Sequence, residues 1–229
     1  MTFFTNDTVR FWKGLAKNNT KAWFDENRKS YEQHLKDPYQ RLAAALVEQI
    51  TEVEPEYSTT PKQAMYRINR DIRFSADKTP YKTRLGVTVG RNEKHDPNWP
   101  AYTVSVGVDG IWVAGGLYQP GTELRDHVRR YVGENMAELK KIERKSTKFA
   151  KTFGALQGET HKRATPELKP YVDDEPRVLN TQWVYWRDFQ NPKQFVDPKL
   201  DQYILDQWEA ARPAMDFLKD AARSFVPSG

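Results

Sequence analysis

The dipeptide Asp109-Gly110 constrains the fold of this chain more than any other feature, because two runs of alternating apolar residues flank it. An Asp-Gly pair readily adopts the positive φ angles of a type I′ turn, which joins two antiparallel strands. The pattern therefore predicts a β-hairpin with strands at 102–108 and 111–117. We expect its core face to carry the cross-strand pairs Val108 with Ile111, Val106 with Val113, Val104 with Gly115 and Tyr102 with Leu117.

The other face of the predicted hairpin carries mostly small and weakly polar residues. A face of this kind lets another group approach the backbone closely. A helix packed against it is the simpler interpretation, and a floor for a bound ligand is the alternative. The expected pairs on this face are Gly107 with Trp112, Ser105 with Ala114 and Thr103 with Gly116.

Apolar residues at helical spacing precede and follow the hairpin. A further strand is predicted over 183–188, and Pro213 should kink or restart the last helix. Helices, then antiparallel strands, then helices again predict the α+β class rather than a doubly wound parallel sheet. Because no Pro/Gly/Ser-rich linker divides the chain, we expect one domain over 1–229, with N-terminal and C-terminal helices packed on a central antiparallel sheet. The predicted helix starts are Asn6 or Thr5, Thr20, Asp37-Pro38, a position near Thr122, and Asp197-Pro198.

Two stripes of side chains inside the N-terminal helices follow the helical period. Trp23, Asn27 and Tyr31 recur every four residues, for which core packing is the main interpretation. The third helix should bury one face in the same way. The residues of that face are Leu42, Leu46, Ile50 and Val53.

Composition excludes several kinds of chemistry. The sequence has no cysteine, which removes disulfides, thiolate metal sites and thiol nucleophiles and fits a reducing compartment. The histidines show no metal-ligand spacing, so we predict no metal site. Nothing resembles an export signal or a membrane span, so we expect a soluble, cytoplasmic protein with no membrane partner. The four histidines are His34, His95, His127 and His161, and His127 is expected to be an ordinary helix residue or, alternatively, to line the site.

The positive charge of the chain is concentrated in one segment. The sequence has 36 Lys and Arg residues against 31 Asp and Glu residues, a formal net charge of +5. Between Arg67 and Arg84, six cations and two anions give a net charge of +4, so the rest of the chain is almost neutral. A local anion site is therefore favoured over a broad surface that follows nucleic-acid phosphates. The cations are Arg67, Arg70, Arg73, Lys78, Lys82 and Arg84, and the anions are Asp71 and Asp77.

Alternation over 65–74 predicts a strand with an apolar side and a charged side. Arg70 falls on the apolar side, where an arginine must be paired or must face a ligand. A bulge or turn near Asn69 would change its orientation. The next residues, 75–82, are rich in turn formers. The apolar side would hold Tyr66, Ile68, Ile72 and Phe74, and the charged side Arg67, Asn69, Asp71 and Arg73.

The cations of this segment suit a phosphate or a carboxylate, because guanidinium groups bind such anions through two hydrogen bonds at once. Asp71 or Asp77 would orient an arginine or act as a general base, and Tyr81 would donate a hydrogen bond. An internal salt-bridge lattice is the alternative, although two acids cannot neutralise six bases. The candidate ligand-binding cations are Arg67, Arg70, Arg73, Lys78 and Lys82.

Gly115 and Gly116 form a second, weaker candidate, since they precede the helix expected near Thr122. A glycine-containing loop before a helix N-terminus can hold an anion with its backbone N–H groups. The end of a strand explains the two glycines equally well.

The cationic segment also carries a resemblance. The pattern Arg67-x-x-Arg70-Asp71-x-Arg73-Phe74-x-x-Asp77-Lys78-x-x-Tyr81 resembles the signature of the bacterial family catalogued as domain of unknown function 2461. The length of the chain is similar to that family as well. Two further stretches share the similarity, Asn18-Asn19 with Trp23-Phe24 and Asn27, and the strand that leads to Gly115-Gly116-Leu-Tyr-x-Pro120. The resemblance implies no activity, no cofactor and no catalytic residue.

Three classes of function remain open at this point. The first is an enzyme or binding protein for a small phosphorylated or carboxylated molecule, which side chains would hold because the chain has no P-loop and no Rossmann glycine pattern. The second, less favoured, is a nucleic-acid-binding module in which Tyr66, Phe74 and Tyr81 stack on bases. The third is an adaptor whose basic patch docks an acidic protein. The sequence identifies no cofactor.

Overall fold

The computed structural model of the chain describes residues 2–92 and 96–227. His95, one of the scattered histidines, lies outside these residues. The strands are β1 (Arg84–Val89), β2 (Ala101–Gly107), β3 (Gly110–Leu117) and β4 (Trp183–Phe189), and they form one antiparallel sheet in the order β1-β2-β3-β4. The helices are α1 (Asn6–Lys17), α2 (Lys21–Glu26), α3 (Arg28–Tyr31), α4 (Asp37–Val53), α5 (Pro61–Ala64), α6 (Thr122–Glu134), α7 (Met136–Ile142), α8 (Lys148–Phe153), α9 (Pro192–Phe195) and α10 (Leu200–Arg223).

These elements confirm the predicted α+β class with an antiparallel sheet. The predicted strand at 183–188 is β4. The last helix runs through Pro213 without interruption, so the predicted restart at this proline is wrong.

The hairpin forms as predicted, but its turn lies one residue earlier. β2 ends at Gly107 and β3 begins at Gly110, so the two turn residues are Val108 and Asp109. A type I′ turn needs positive φ at both central residues. Gly110 has a φ of +146°, whereas Asp109 is not among the described residues with positive φ. The predicted type I′ turn at Asp109-Gly110 is therefore wrong.

The pairing of β2 with β3 is displaced from the predicted register by two residues. An ideal Cβ on Gly115 would lie 2.7 Å from the carbonyl oxygen of Ala101, so Gly115 lies beside the start of β2 rather than opposite Val104. A displacement of two residues keeps every side chain on its predicted face, because the side-chain period of a strand is two. The core side is accordingly buried at Val106, Ile111 and Val113.

The second face of the sheet is partly open. Burial alternates along most of β2, where Val106 is buried and Ser105 is half-exposed, and in the first half of β1, where Val87 is buried and Gly86 is half-exposed. Trp112 on β3 is half-exposed as well. Thr88 and Gly107 on the same face are buried, so the face is open only in part, and both the packed-helix interpretation and the ligand-floor interpretation stay predictions.

The chain divides into two compact units. The first comprises the described residues of Met1–Lys94, Thr103–Val113 and Asp188–Leu205, and the second those of His95–Tyr102, Ala114–Arg187 and Asp206–Gly229. The expectation of one domain over 1–229 stays a prediction.

In the first unit, the N-terminal helices begin largely where the sequence predicts. Thr5 and Thr20 cap α1 and α2 through their side chains. A π-helical turn over Glu32–Lys36 joins α3 to α4, so the predicted N-cap at Asp37 is wrong. α4 buries its expected residues except Val53, which is 53% exposed in the last turn.

In the second unit, two arginines are held by nearly buried acceptors. Arg129 of α6 donates from Nε to the carbonyl oxygen of Asn180 at 2.9 Å. Arg177 pairs with Glu143 and with Glu175, which is itself buried. Both arginines therefore have hydrogen-bond acceptors inside the protein. In this they differ from several cations of the segment described next.

Candidate functional site

The cationic segment begins as an irregular extended stretch that pairs with β1 and with the residues just before it. The N–H of Tyr66 donates to the carbonyl oxygen of Gly86 at 3.1 Å, and the N–H of Arg70 donates to that of Pro80 at 2.8 Å. Isolated bridges join Met65 to Val87 and Asn69 to Tyr81. Between these two bridges the cationic segment advances by four residues, whereas the opposite stretch advances by six. The opposite stretch must therefore contain a bulge.

The predicted regular strand over 65–74 is wrong beyond Arg70. The chain leaves the edge of the sheet there, and residues 71–79 form a loop. Ile72 and Phe74, expected on a buried apolar side, are exposed, and Phe74 is 94% exposed. The guanidinium group of Arg73 lies over the ring of Phe74, 5.7 Å from its centre.

Both acids of the segment are already engaged with arginines. Asp71 accepts from Nε and Nη2 of Arg73 at 3.0 and 2.7 Å. These hydrogen bonds lower the pKa of Asp71 to about 2. Asp77 accepts from the N–H and hydroxyl of Thr79 at 2.9 and 2.7 Å and pairs with Nη1 of Arg70. The hydrogen bonds from Thr79, more than the pair with Arg70, lower the pKa of Asp77.

The cations differ in how much hydrogen-bonding capacity they have left. Nε of Arg70 is buried and has no partner within residues 2–92 and 96–227. Arg67 is exposed and forms no ion pair or side-chain hydrogen bond with any other described residue. Lys78 instead donates from Nζ to the carbonyl oxygen of Ile72 at 2.8 Å, which holds the loop together.

Lys82 connects the segment to the open face of the sheet. Its Nζ lies 5.5 Å from the centre of the Tyr66 ring. The hydroxyl of Tyr66 is 3.2 Å from that of Thr88, which is 3.0 Å from that of Thr103. The sequence did not predict this row of hydroxyl groups, although the small residues expected on this face indicated that another group could approach the backbone closely.

Arg84 lies across the same face. Its Cγ is 2.8 Å from the position that a Cβ on Gly107 would occupy. Its guanidinium group is 3.4 Å from Asp109 and 3.4 Å from Asp188, which are long distances for ion pairs. Nε of Arg84 is buried and has no partner among the described residues.

Tyr81 is placed for packing rather than for chemistry. Its side chain is buried, and its ring stacks on Phe24 at 4.1 Å between centres. Asn19 receives the N–H of Tyr81 at 3.0 Å and donates its amide to the carbonyl oxygen of Tyr81 at 2.9 Å. Asn19 therefore fastens the segment to the turn between α1 and α2, a role that the Asn18-Asn19 stretch of the sequence did not reveal.

The stripe Trp23, Asn27 and Tyr31 packs within the N-terminal helices. The ring of Phe11 lies 5.6 Å from Trp23 and 6.0 Å from Tyr31. Asn27 donates its amide to the carbonyl oxygen of Trp23 at 2.8 Å. These contacts support the packing interpretation of the stripe.

Gly115 and Gly116 lie inside β3, in the second unit, and not in a loop. A Cβ on Gly115 would overlap the hydroxyl of Tyr185, and a Cβ on Gly116 would overlap the carbonyl oxygen of Trp183. Packing against β4 therefore accounts for both glycines. His127, on α6 of the same unit, contacts the hydroxyl of Ser224 at 2.9 Å.

Within residues 2–92 and 96–227, no helix combines the length and the apolar character needed to cross a bilayer. The same residues contain no group of three or more His, Cys, Asp or Glu side chains placed to share a metal ion.

Comparison with protein-family models gives a match. A family model described as "Conserved hypothetical protein (DUF2461)" matches residues 7–217, which is nearly the whole chain. Neither the curated proteins nor the solved structures contain a significant match.

Proposed function

Since the chain belongs to the DUF2461 family, whose description names no activity, we propose from the geometry of the first unit that it binds a small phosphate- or carboxylate-bearing molecule. Arg67 and Arg70 are the principal ligands for the anion. Lys82 adds positive charge beside them, whereas Arg73 and Lys78 shape the adjoining loop.

The buried, unpartnered Nε of Arg70 carries this proposal. A buried donor without an acceptor costs about 1–3 kcal/mol, so it calls for an explanation. Asp77 occupies only Nη1 of Arg70 among the described residues. An anion that accepts from Nε and a second guanidinium nitrogen would form the two-point contact that arginine favours.

The distribution of charge supports the same proposal over an internal salt-bridge lattice. Asp71 binds Arg73 and Asp77 binds Arg70, so both acids of the segment are used. Arg67 forms no ion pair and no side-chain hydrogen bond in the described part of the chain. A small anion would supply the negative charge that the segment lacks.

The state of the two acids favours binding over acid–base catalysis. A general base works best when its pKa lies near the working pH. The pKa of Asp71 is about 2 and that of Asp77 is lowered, so both accept protons poorly at neutral pH. Their geometry supports the role of orienting arginines.

The placement of the aromatic residues disfavours nucleic acid as the ligand. Single strands bind through several aromatic side chains on which successive bases stack. Tyr81 is 5% exposed and stacked on Phe24, and Tyr66 lies beneath Lys82. Phe74 is the one member of the expected trio that is well exposed.

The exposed loop supports a second candidate function, docking of an acidic protein partner. Phe74 projects from a loop that also carries Arg73 and Lys78, and exposed aromatic and arginine side chains are typical of binding surfaces. An Asp- or Glu-rich partner would complement this charge. Phe74→Ala would abolish such docking and leave the binding of small anions unchanged, which separates the two candidates.

Ligand-induced thermal stabilisation tests the proposal. At about 100-fold excess over Kd, a ligand that binds only the folded state stabilises it by about 2.7 kcal/mol, which corresponds to a rise in Tm of roughly 5–10 °C. Phosphate and phosphomonoesters should produce such a rise. Arg70→Ala should abolish the rise in Tm. Arg70→Lys keeps the positive charge but not the paired N–H donors of the guanidinium group, so it should retain only part of the rise.

Arg10→Ala is the matched control, because it removes an exposed arginine that pairs with Asp7 on α1. It should leave the response to ligand intact. Equal ligand-induced shifts in Arg70→Ala and in the parent would rule out the proposed role of Arg70. Tight binding of oligonucleotides at low salt, with no response to phosphomonoesters, would favour a nucleic-acid function instead.

We also propose a cytoplasmic location for this binding activity. The lack of cysteine in the whole sequence is compatible with a reducing compartment. Fluorescence microscopy of a tagged chain and cell fractionation would test it.

A further inference from the structure

We infer that the open face of the sheet in the first unit receives the sugar ring of a phosphorylated sugar whose phosphate binds the cationic segment. The inference rests on the proposed function and specifies its ligand. All of the residues that carry it belong to the first unit.

The side chains of Tyr66 and Arg84 lie along this face of the sheet. The ring of Tyr66 would lie 3.1 Å from a Cβ at Gly86, and the stem of Arg84 would lie 2.8 Å from a Cβ at Gly107. The two glycines therefore allow Tyr66 and Arg84 to lie against the sheet instead of standing away from it. The result is a shallow, partly open surface rather than a packed core.

Trp112 and Ser105 remain available on this surface. Both are half-exposed, and neither forms a side-chain hydrogen bond with another residue that the structure describes. The two-residue turn at Val108 and Asp109 places Ser105 opposite Trp112 on the neighbouring strand. An indole face next to a free hydroxyl suits a ring that is apolar on its face and polar at its edge, as a sugar is.

Hydroxyl groups line one side of the same surface. Those of Tyr66, Thr88 and Thr103 form a continuous row. A hydroxyl can donate and accept, so a row of them adapts to the hydroxyl groups of a sugar better than fixed donors or acceptors would. Thr103 is half-exposed, within the part of the row that a ligand can reach.

One cation of the segment, Lys82, lies at this surface and links the segment to it. The ring of Tyr66 lies under Lys82, and the N–H of Lys82 donates to the carbonyl oxygen of Ile68 at 2.8 Å, which fixes Lys82 beside the cationic segment. Arg84, with its loosely paired guanidinium group, lies on the face itself. A sugar phosphate would contact both groups of residues if its phosphate bound at the cationic segment and its sugar ring lay on the open face.

Calorimetric titration of the full chain with inorganic phosphate, a hexose 6-phosphate, the free hexose and a nucleoside monophosphate tests the inference. The hexose phosphate should bind at least about tenfold more tightly than phosphate. Trp112→Leu should remove that gain and leave the affinity for phosphate unchanged. Thr103→Val and Ser105→Ala should each remove part of the gain, and they keep the test decisive if Trp112→Leu fails to fold.

Tyr118→Leu is the control, since Tyr118 is an exposed aromatic residue outside this face. It should bind every compound as the parent does. Equal affinities for phosphate and hexose phosphate, or tighter binding of the nucleotide, would overturn the sugar assignment and leave the anion site standing. Absence of binding by all of the phosphate compounds would overturn the proposed function and this inference together.

Discussion

Arg70 and Arg73 lie three residues apart and have the same chemistry, yet their environments give them different roles. Arg73 commits Nε and Nη2 to Asp71 and lies in an exposed loop. Arg70 gives only Nη1 to Asp77 and keeps a buried Nε unpartnered among the described residues. The sequence singled out both arginines but could not rank them, because ranking requires knowing which carboxylate each one reaches.

Gly116 shows the same limit of prediction from sequence. The sequence placed this glycine in a candidate anion site, whereas packing in the structure accounts for it. Its φ is +115°, and a Cβ there would overlap the carbonyl oxygen of Trp183. Gly116→Ala should therefore lower the free energy of unfolding by about 3 kcal/mol or more, from backbone strain and overpacking together. Urea denaturation with a check on the m-value measures it.

Gly154→Ala provides the comparison for that variant. Gly154 also has positive φ, +81°, but its Cβ would meet no atom of the described residues within 4 Å. Gly154→Ala should therefore lower the free energy of unfolding by only about 1–2 kcal/mol, the cost of the strained backbone. Equal losses for the two variants would show that the close approach of β4 does not restrict Gly116.

At the scale of elements, the sequence predicted best where local and tertiary preferences agree. The hairpin was found because alternation and a glycine turn coincide, and only its turn type and register differ. Gly110 adopts the positive φ angle, so the tight turn forms without a positive φ at Asp109. Alternation in 65–74 predicted a regular strand wrongly, because backbone pairing ends at Arg70 and leaves Phe74 exposed. Nothing in the local pattern signals where an edge strand loses its partner.

Asn19 should control how firmly the cationic segment is held. It makes two hydrogen bonds with the backbone of Tyr81, at 3.0 and 2.9 Å. Asn19→Ala leaves both backbone groups without this partner and should cost about 1–3 kcal/mol. Hydrogen exchange of the Tyr81 and Arg70 amides should accelerate in the variant, and binding of phosphate should weaken with it.

Asn18→Ala is the matched control for that experiment. Asn18 is exposed and donates its amide to the carbonyl oxygen of Gly14 at the end of α1. Its removal should cost about 0.5–1 kcal/mol and leave exchange at Tyr81 unchanged. Faster exchange at Tyr81 in both variants would mean that the whole turn, and not Asn19, holds the segment.

At the scale of the whole molecule, composition and order of elements were sufficient for the α+β class, whereas the borders of the two compact units carry no signal in the sequence. Borders of the units fall inside regular elements: β2 between Tyr102 and Thr103, β3 between Val113 and Ala114, β4 between Arg187 and Asp188, and α10 between Leu205 and Asp206. Sequence methods look for linkers rich in Pro, Gly or Ser, and a boundary inside a strand has no such composition.

Acid should destabilise the molecule in two separate pH windows. Burial, reinforced by the charge of Arg130, lowers the pKa of His127 from its ordinary value of 6.5. A group whose pKa is lowered by folding binds protons more readily when unfolded, so its stability is fully present above the unfolded pKa and is lost as the pH falls from there through the folded pKa. Asp71 and Asp77 follow the same rule from their ordinary 3.8 downward. The first loss should therefore begin near pH 6.5, and the second below about pH 4.

His127→Gln isolates the first window, because glutamine does not titrate and can still bind the hydroxyl of Ser224, 2.9 Å from His127 Nε2. The free energy of unfolding, measured in urea from about pH 7.5 to about pH 5, should fall less steeply in the variant than in the parent. Asp71→Asn should leave that slope unchanged and reduce the loss below about pH 4. Identical slopes for His127→Gln and the parent between about pH 7.5 and 5 would show that His127 has the same pKa in both states. Its contact with Ser224 would then contribute nothing to the pH dependence of folding.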